Sequence, residues 1–263
     1  MNIATDTMKA FKGADEFQNR IVAFVDVMGM KNKMLQAKKP EDFQVYSTIL
    51  NMFANQPYAK GKLRVSIFSD CMYVIAKKEF ADYVINFLAN FSYTLLSSNT
   101  PIINVHPDGS YDAINHLDCF KLRGGITYGK VFALDEAAEN NGLLFHSNIV
   151  LGPAAIKAYL LESEAVYPRI IVDENFLQLI EDMGKTTDEY YLIRDDETDY
   201  YLDFISYMCK GRRENSIVIQ CLESYIDFIK EELEEALHKN NAKLVGQLLW
   251  YIKYLQRQLK APN

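Results

Sequence analysis

No apolar run in this 263-residue sequence approaches the roughly 18–20 residues that a membrane-spanning helix needs. Positive charge is also in deficit: 28 Lys and Arg stand against 35 Asp and Glu, a formal net charge of −7. Proteins that bind nucleic acid through its phosphates carry the opposite excess, so neither a membrane nor nucleic acid is an expected partner. Cysteine is sparse. Cys71, Cys119, Cys209 and Cys221 are scattered with no Cys-x-x-Cys pair, which argues against a zinc ribbon and a disulfide framework alike. His106, His116, His146 and His238 form no His-Glu-x-x-His motif. The glycine-rich phosphate loops G-x-G-x-x-G and G-x-x-x-x-G-K-[ST] are missing, as is the nucleophile elbow G-x-S-x-G. The first twenty residues lack the apolar core of a signal peptide, so a cytoplasmic location is expected.

What is present is ordinary globular composition, 49% hydrophobic and 24% charged, in a chain long enough for one large core or a core with an appendage. RIVAFVDVMGM (20–30) is a β-branched apolar run that predicts a strand ending near Asp26 and Gly29. A helix is expected from about Lys31 to Ala54, interrupted at KKPED (38–42), where Pro40 suits a first helical turn. VSIFSDCMYVI (65–75) falls in a predicted hairpin, Lys62 to Ala76, with Ser69 and Asp70 at its apex. Val84, Phe87, Leu88, Phe91 and Leu95 are spaced as a helix over 79–98, and the prolines and glycine of 99–118 read as a loop or insertion. FKLRGGITYGKVFAL (120–134) reads as a strand or long hairpin whose glycines imply close backbone approach, and 136–142 reads as a turn.

GPAAIKAYLLESEA (152–165) predicts a helix with Pro153 in its first turn. A short strand over 167–173, a helix over 174–183 and a strand pair over 189–205 around DDETD follow. From about Ser216 two stripes, Leu222-Ile226-Ile229-Leu233-Leu237 and Val245-Leu248-Leu249-Ile252-Leu255-Leu259, predict a helical hairpin packed on the sheet or on a second subunit. Tight turns between strand pairs point to an α+β fold with a mixed, partly antiparallel sheet.

Asp26 and Asp70 each end an apolar strand, 44 positions apart. A buried carboxylate is costly unless paired or bound to metal. If the first strand lies beside the hairpin, both acids reach one edge of the sheet, where two carboxylates suit Mg²⁺ and phosphoryl transfer. Two unrelated turn acids would look the same, and the spacing alone leaves both readings open.

In this order, FVDVMGM, FSDCMYV, LRGGITYGKV and LGPAAIKAYLLES resemble the catalytic domain of class III nucleotidyl cyclases. The last two, followed by YPRIIVD, are most similar to the pyrimidine cyclases of bacterial Pycsar antiphage systems. The resemblance spans about residues 20–205 and implies a ferredoxin-like βαββαβ core with a mixed, largely antiparallel sheet. On it, 1–19 is an N-terminal extension, 20–205 the cyclase-like domain and 206–263 a C-terminal helical hairpin on the core or dimer partner. It further implies a head-to-tail homodimer with active sites at the interface. Asp26 and Asp70 become the catalytic, metal-binding acids, with the Val27 carbonyl a further ligand, and two Mg²⁺ or Mn²⁺ ions are the implied cofactors.

The implied reaction is attack of a ribose 3′-oxygen on the α-phosphate of a nucleoside triphosphate, releasing pyrophosphate. The family's helix asparagine and arginine fall on Ile156 and Leu160, with Lys157 nearby as a cation. Its base-reading positions fall on Ser66 and Ile149, so purine recognition is not expected and UTP or CTP are candidate substrates. Arg123, Lys130, Arg169 and Arg194 are candidate triphosphate contacts, Arg169 and Arg194 foremost. The implied product, cyclic UMP or cyclic CMP, would be an antiviral second messenger. The alternative is a catalytically silent cyclase-like domain that binds a nucleotide or a partner and regulates. Retention of both acids favours the first reading; loss of the helix asparagine and arginine favours the second.

Overall fold

The computed structural model describes residues 18–39, 47, 60–97, 102–105, 111–114, 120–133, 137–140, 143–146, 150–194, 199–210 and 217–261. Strand β1 (Gln18–Met28) is followed by a short helix α1 (Met30–Gln36). The rest of the helix expected to reach Ala54 falls, apart from a helical Ser47, outside the described residues. Strands β2 (Leu63–Phe68) and β3 (Cys71–Ala76) form the expected hairpin. Its two-residue loop is Ser69-Asp70, with Ser69 at φ 56°. A positive φ at the first loop position matches the right-handed twist of the flanking strands, although glycine usually supplies it.

Helix α2 (Ala81–Ser97) then leads past two strands, β4 (Ile102–Val105) and β5 (Tyr111–Ile114), to the long strand β6 (Lys121–Ala133). In sheet order β6, β1, β3 and β2 lie side by side, every neighbouring pair antiparallel. Numbered by their place in the βαββαβ core, that order is fourth, first, third, second, the ferredoxin-like arrangement. Strand β9 (Val150–Leu151) pairs with the end of β6, and helix α3 (Pro153–Glu164) crosses back over the sheet. It feeds β10 (Ile170–Val172), which runs parallel to β6. After helix α4 (Glu174–Asp182), strands β11 (Leu192–Arg194) and β12 (Tyr200–Leu202) extend the sheet beyond β10, giving eight strands in all. The fold is α+β with a mixed, mostly antiparallel sheet.

Two segments differ from the sequence expectation. Within 99–118, β4 and β5 pair with each other, and the supposed turn at 136–142 contains β7 (Ala137–Asn140), paired with β8 (Leu143–His146). Pro, Gly and Asn clusters mark the turns of such hairpins as readily as they mark loops, which hides the short strands between them.

The sheet is buried on both faces. Along β1 the odd positions Ile21, Ala23, Val25 and Val27 join the larger core, while Val22 and Phe24 join a smaller one beneath α3 with Ala154, Ala155 and Ala158. That two-sided burial explains why the strand reads as an unbroken apolar run. Full burial of a side chain such as Ile21 or Val22 is worth about 1.5–3 kcal/mol. Helices α5 (Phe204–Cys209), α6 (Ile217–His238) and α7 (Ala242–Lys260) pack on the larger core through Leu222, Ile226, Ile229, Leu248, Ile252 and Leu255. No described helix is long and apolar enough to cross a membrane.

Candidate functional site

Strand register decides which side chains can meet on the α3 face. Asp26 pairs with Cys71 on one side and with Arg123 on the other, and Cys71 pairs in turn with Phe68. Cross-strand partners point to the same face, so Phe68, Cys71, Asp26 and Arg123 form one row across four strands. The next row is Ser66, Tyr73, Phe24 and Gly125. Asp70, at the hairpin apex, is drawn in by its own backbone: the Val27 N–H donates to the Asp70 carbonyl at 3.0 Å.

The outcome is a half-buried acidic cluster. Ligand atoms of Asp26, Asp70 and Cys71 all lie within 4.8 Å of one another. The Cys71 thiol donates to Asp26 Oδ1 at 3.4 Å. Burial first, then the two carboxylates, hold that thiol well above its ordinary range, so it serves as a neutral donor. Burial chiefly, and the like charge of Asp70, also raise the Asp26 carboxyl, against the opposing pull of the Cys71 hydrogen bond and Arg123. Two close carboxylates whose like charges face one another offer the oxygen ligands that a hard divalent cation such as Mg²⁺ or Mn²⁺ takes.

Arg123 approaches Asp26 Oδ2 at 3.4 Å and also forms an ion pair with Glu162. Glu162 hangs from the last turn of α3 and is only 5% exposed. Burial raises its carboxyl above the ordinary value, Arg123 opposes that shift, and the Asp26 charge adds to it. Helix and strand come this close because residue 125 is glycine: a Cβ there would stand 2.9 Å from the Ala158 carbonyl oxygen and against Leu161. Glu162 is not among the site residues singled out from sequence, although it stands at the end of the LGPAAIKAYLLES stretch that carries the resemblance, one residue before the last. Its signal is positional, seven residues after Ala155 and four after Ala158, hence on the buried stripe of a helix where an acid needs a partner.

Of the residues singled out from sequence, Asp26, Val27, Asp70 and Arg123 come together, and Ser66 lies on the same face one row away. Lys157, Arg169 and Arg194 lie elsewhere in the chain's fold. Ser66 is buried in β2, its hydroxyl without a hydrogen-bond partner among the described residues. Lys157, on α3, faces Asp173, which Thr127 holds by a 2.6 Å hydrogen bond. Arg169 is buried toward the larger core, paired with Asp199 at 3.3 Å and ringed by Tyr167, Tyr201 and Trp250. Arg194 is exposed on the terminal strand β11, over the Tyr200 ring. Ile149 lies outside the described residues. Ile156 and Leu160 are exposed on the outer face of α3, at 62% and 47%, with Tyr159 between them at 50%.

No protein-family model matches the sequence, and no curated protein matches it. Among solved structures the chain is similar to a double mutant of the guanylyl cyclase domain of the RhoGC fusion protein from the aquatic fungus Blastocladiella emersonii. Identity is 14% and the TM-score 0.50, over 72% of this chain and 96% of that one. It is also similar to the adenylyl cyclase CyaB from P. aeruginosa, at 14% identity and TM-score 0.48 over 71% of this chain and 94% of that one. The shared feature is the fold.

Proposed function

We propose that this chain is a metal-dependent nucleotidyl cyclase, converting a nucleoside triphosphate to a 3′,5′-cyclic mononucleotide and pyrophosphate. The observation that carries this reading is the convergence of Asp26 and Asp70, two acids far apart in sequence, with Arg123 alongside, on a cyclase-type sheet. Asp26, Asp70 and the Val27 carbonyl would hold Mg²⁺ or Mn²⁺. When bound, the ions supply positive charge that activates the attacking 3′-oxygen and offsets charge on the phosphates. In the reaction the 3′-oxygen loses its proton and bonds to the α-phosphorus, while the bond to the pyrophosphate oxygen breaks. Arg123 is the cation best placed to meet the phosphates, beside the metal acids and partly open to solvent at 19% side-chain exposure.

Ser66, buried where purine-selective relatives place a charged base reader, supports a pyrimidine triphosphate, UTP or CTP, as substrate. Similarity of the α3 and strand motifs to the Pycsar cyclases supports a product that serves as an antiviral second messenger. Homodimerisation fits the exposed apolar side chains Ile156, Tyr159 and Leu160, which nothing among the described residues covers. In such a pair Lys157 and Arg194 would be nucleotide contacts across the interface.

The test is direct. The purified protein is incubated with ATP, GTP, CTP or UTP plus Mn²⁺ or Mg²⁺, and products are separated and weighed by mass spectrometry. A cyclic product that Asp70→Ala abolishes supports the proposal; no product from any of the four, or equal product from Asp70→Ala, refutes it. The second reading, a silent nucleotide-binding regulator, is favoured by Ile156 and Leu160, neither of which can donate a hydrogen bond to a ribose or phosphate. It calls for nucleotide binding by calorimetry without turnover.

A further inference from the structure

One guanidinium serves two acids in this site, the half-buried Asp26 and the buried Glu162. Arg123 contacts Asp26 Oδ2 at 3.4 Å and pairs with Glu162 Oε1, using the same nitrogen for both. If a divalent cation takes up Asp26, the guanidinium beside it becomes a like charge and loses that partner. A cation left there with no second acid would either compete with the metal for Asp26 or swing out of the site. Glu162 prevents both outcomes because it is fixed. Its carboxylate is buried at 5% exposure, set on a helix turn that Gly125 lets close down on the strand, and its other oxygen accepts from Ser163 at 3.2 Å.

We propose that Glu162 is a positioning residue that keeps Arg123 in the site by taking over its charge when a metal ion claims Asp26. The inference rests on the cyclase reading only through metal binding at Asp26 and Asp70. It goes beyond that reading by assigning a role to an acid that touches neither metal nor phosphate. Arg123 contacts both acids at once, so Glu162 remains its partner when Asp26 is taken, and the helix of Glu162 thereby becomes part of the metal site's electrostatics.

A double-mutant cycle on the full chain tests this, with Mn²⁺ alone as the probe and binding read by calorimetry or by the loss of free-ion paramagnetic signal. Glu162→Gln keeps the shape of the side chain and removes the charge, so Arg123 commits to Asp26 and Mn²⁺ affinity falls roughly tenfold. In Arg123→Gln the competing cation is gone, and adding Glu162→Gln to that background leaves Mn²⁺ affinity within about twofold. Equal affinity of wild type and Glu162→Gln overturns the inference. So does an equal loss in both backgrounds, since that is the signature of a distant charge and not of one acting through Arg123. If wild type binds no Mn²⁺, the metal reading itself falls and takes this role with it. Circular dichroism of each variant establishes that the fold is intact, and Glu162→Asp, which restores the charge, is expected to recover most of the affinity.

Discussion

Arg123 stands directly across the β1–β6 pairing from Asp26, and its guanidinium reaches the Asp26 carboxylate at 3.4 Å. An arginine and an acid in register on the same face of a sheet are held by backbone hydrogen bonds, so neither has to be ordered by the ligand.

Neutralising either acid should remove activity while leaving the fold. Asp26→Asn and Asp70→Asn are expected to lower the rate of cyclic-nucleotide formation about 100-fold or more, the scale of losing a major electrostatic stabiliser. Initial rates at saturating Mn²⁺ check this, and a rate within threefold of wild type for either variant contradicts the site.

Metal should stabilise the folded chain. At a Mn²⁺ concentration of about 100 times Kd, linkage predicts a gain of roughly 2.7 kcal/mol, lost on chelation by EDTA. Thermal unfolding with and without Mn²⁺ measures it, and Asp26→Asn should show no metal-dependent shift.

Gly125→Ala should disturb α3. The added methyl would stand 2.9 Å from the Ala158 carbonyl and against Leu161, so helix or strand must move. A loss of about 1–3 kcal/mol in urea unfolding is expected, with a larger proportional loss of Mn²⁺-dependent activity, because the same contact seats Glu162. An unchanged urea midpoint would show that the helix does not press on this strand.

Asp203 should be a strong point of stability far from the metal acids. Buried at 4% exposure, it caps α5 through the Ser206 N–H and accepts from the Tyr254 hydroxyl and the Gln258 amide. Asp203→Ala removes the cap and the acceptor that the Ser206 and Tyr254 hydroxyls and the Gln258 amide share, a cost of about 2–4 kcal/mol. Its metal affinity should match wild type under conditions where both are folded.

Covering the outer face of α3 should depend on its apolar residues. Leu160→Glu and Ile156→Glu place charge where 47% and 62% of each side chain is open. If a second copy sits there, both variants run as monomers by light scattering while wild type runs as a dimer. Identical masses for all three would remove that face from the assembly.

The hairpin and its apical acid are legible in the sequence because Ser69-Asp70 interrupts two β-branched runs, and the register then follows from the two-residue loop. Asp26 is legible for the same reason. Arg123 is visible as a cation but not as the partner of Asp26, since that pairing depends on an antiparallel match across 97 positions of chain. Glu162 is visible as an acid within the α3 motif but not as the partner of Arg123, because an acid in a helix is read as solvent-facing until burial is known. The surroundings of Arg169 are not legible either: a lone arginine before a strand gives no sign of the three aromatic rings and of Asp199 that stand around it in the fold.

Those rings have an optical consequence. Trp250 is the only tryptophan in the chain, and it stacks on Tyr167 with centroids 5.5 Å apart and planes within 7°. Tyr167 belongs to the connection between α3 and β10, which Gln247 also grips through the Val166 carbonyl at 2.7 Å. All tryptophan emission from this protein therefore originates at a joint where the C-terminal helices hold the connection that follows the helix of Glu162. The chain contains its own fluorescent gauge, and a shift in emission on adding Mn²⁺ would report movement of α3 without any label being attached.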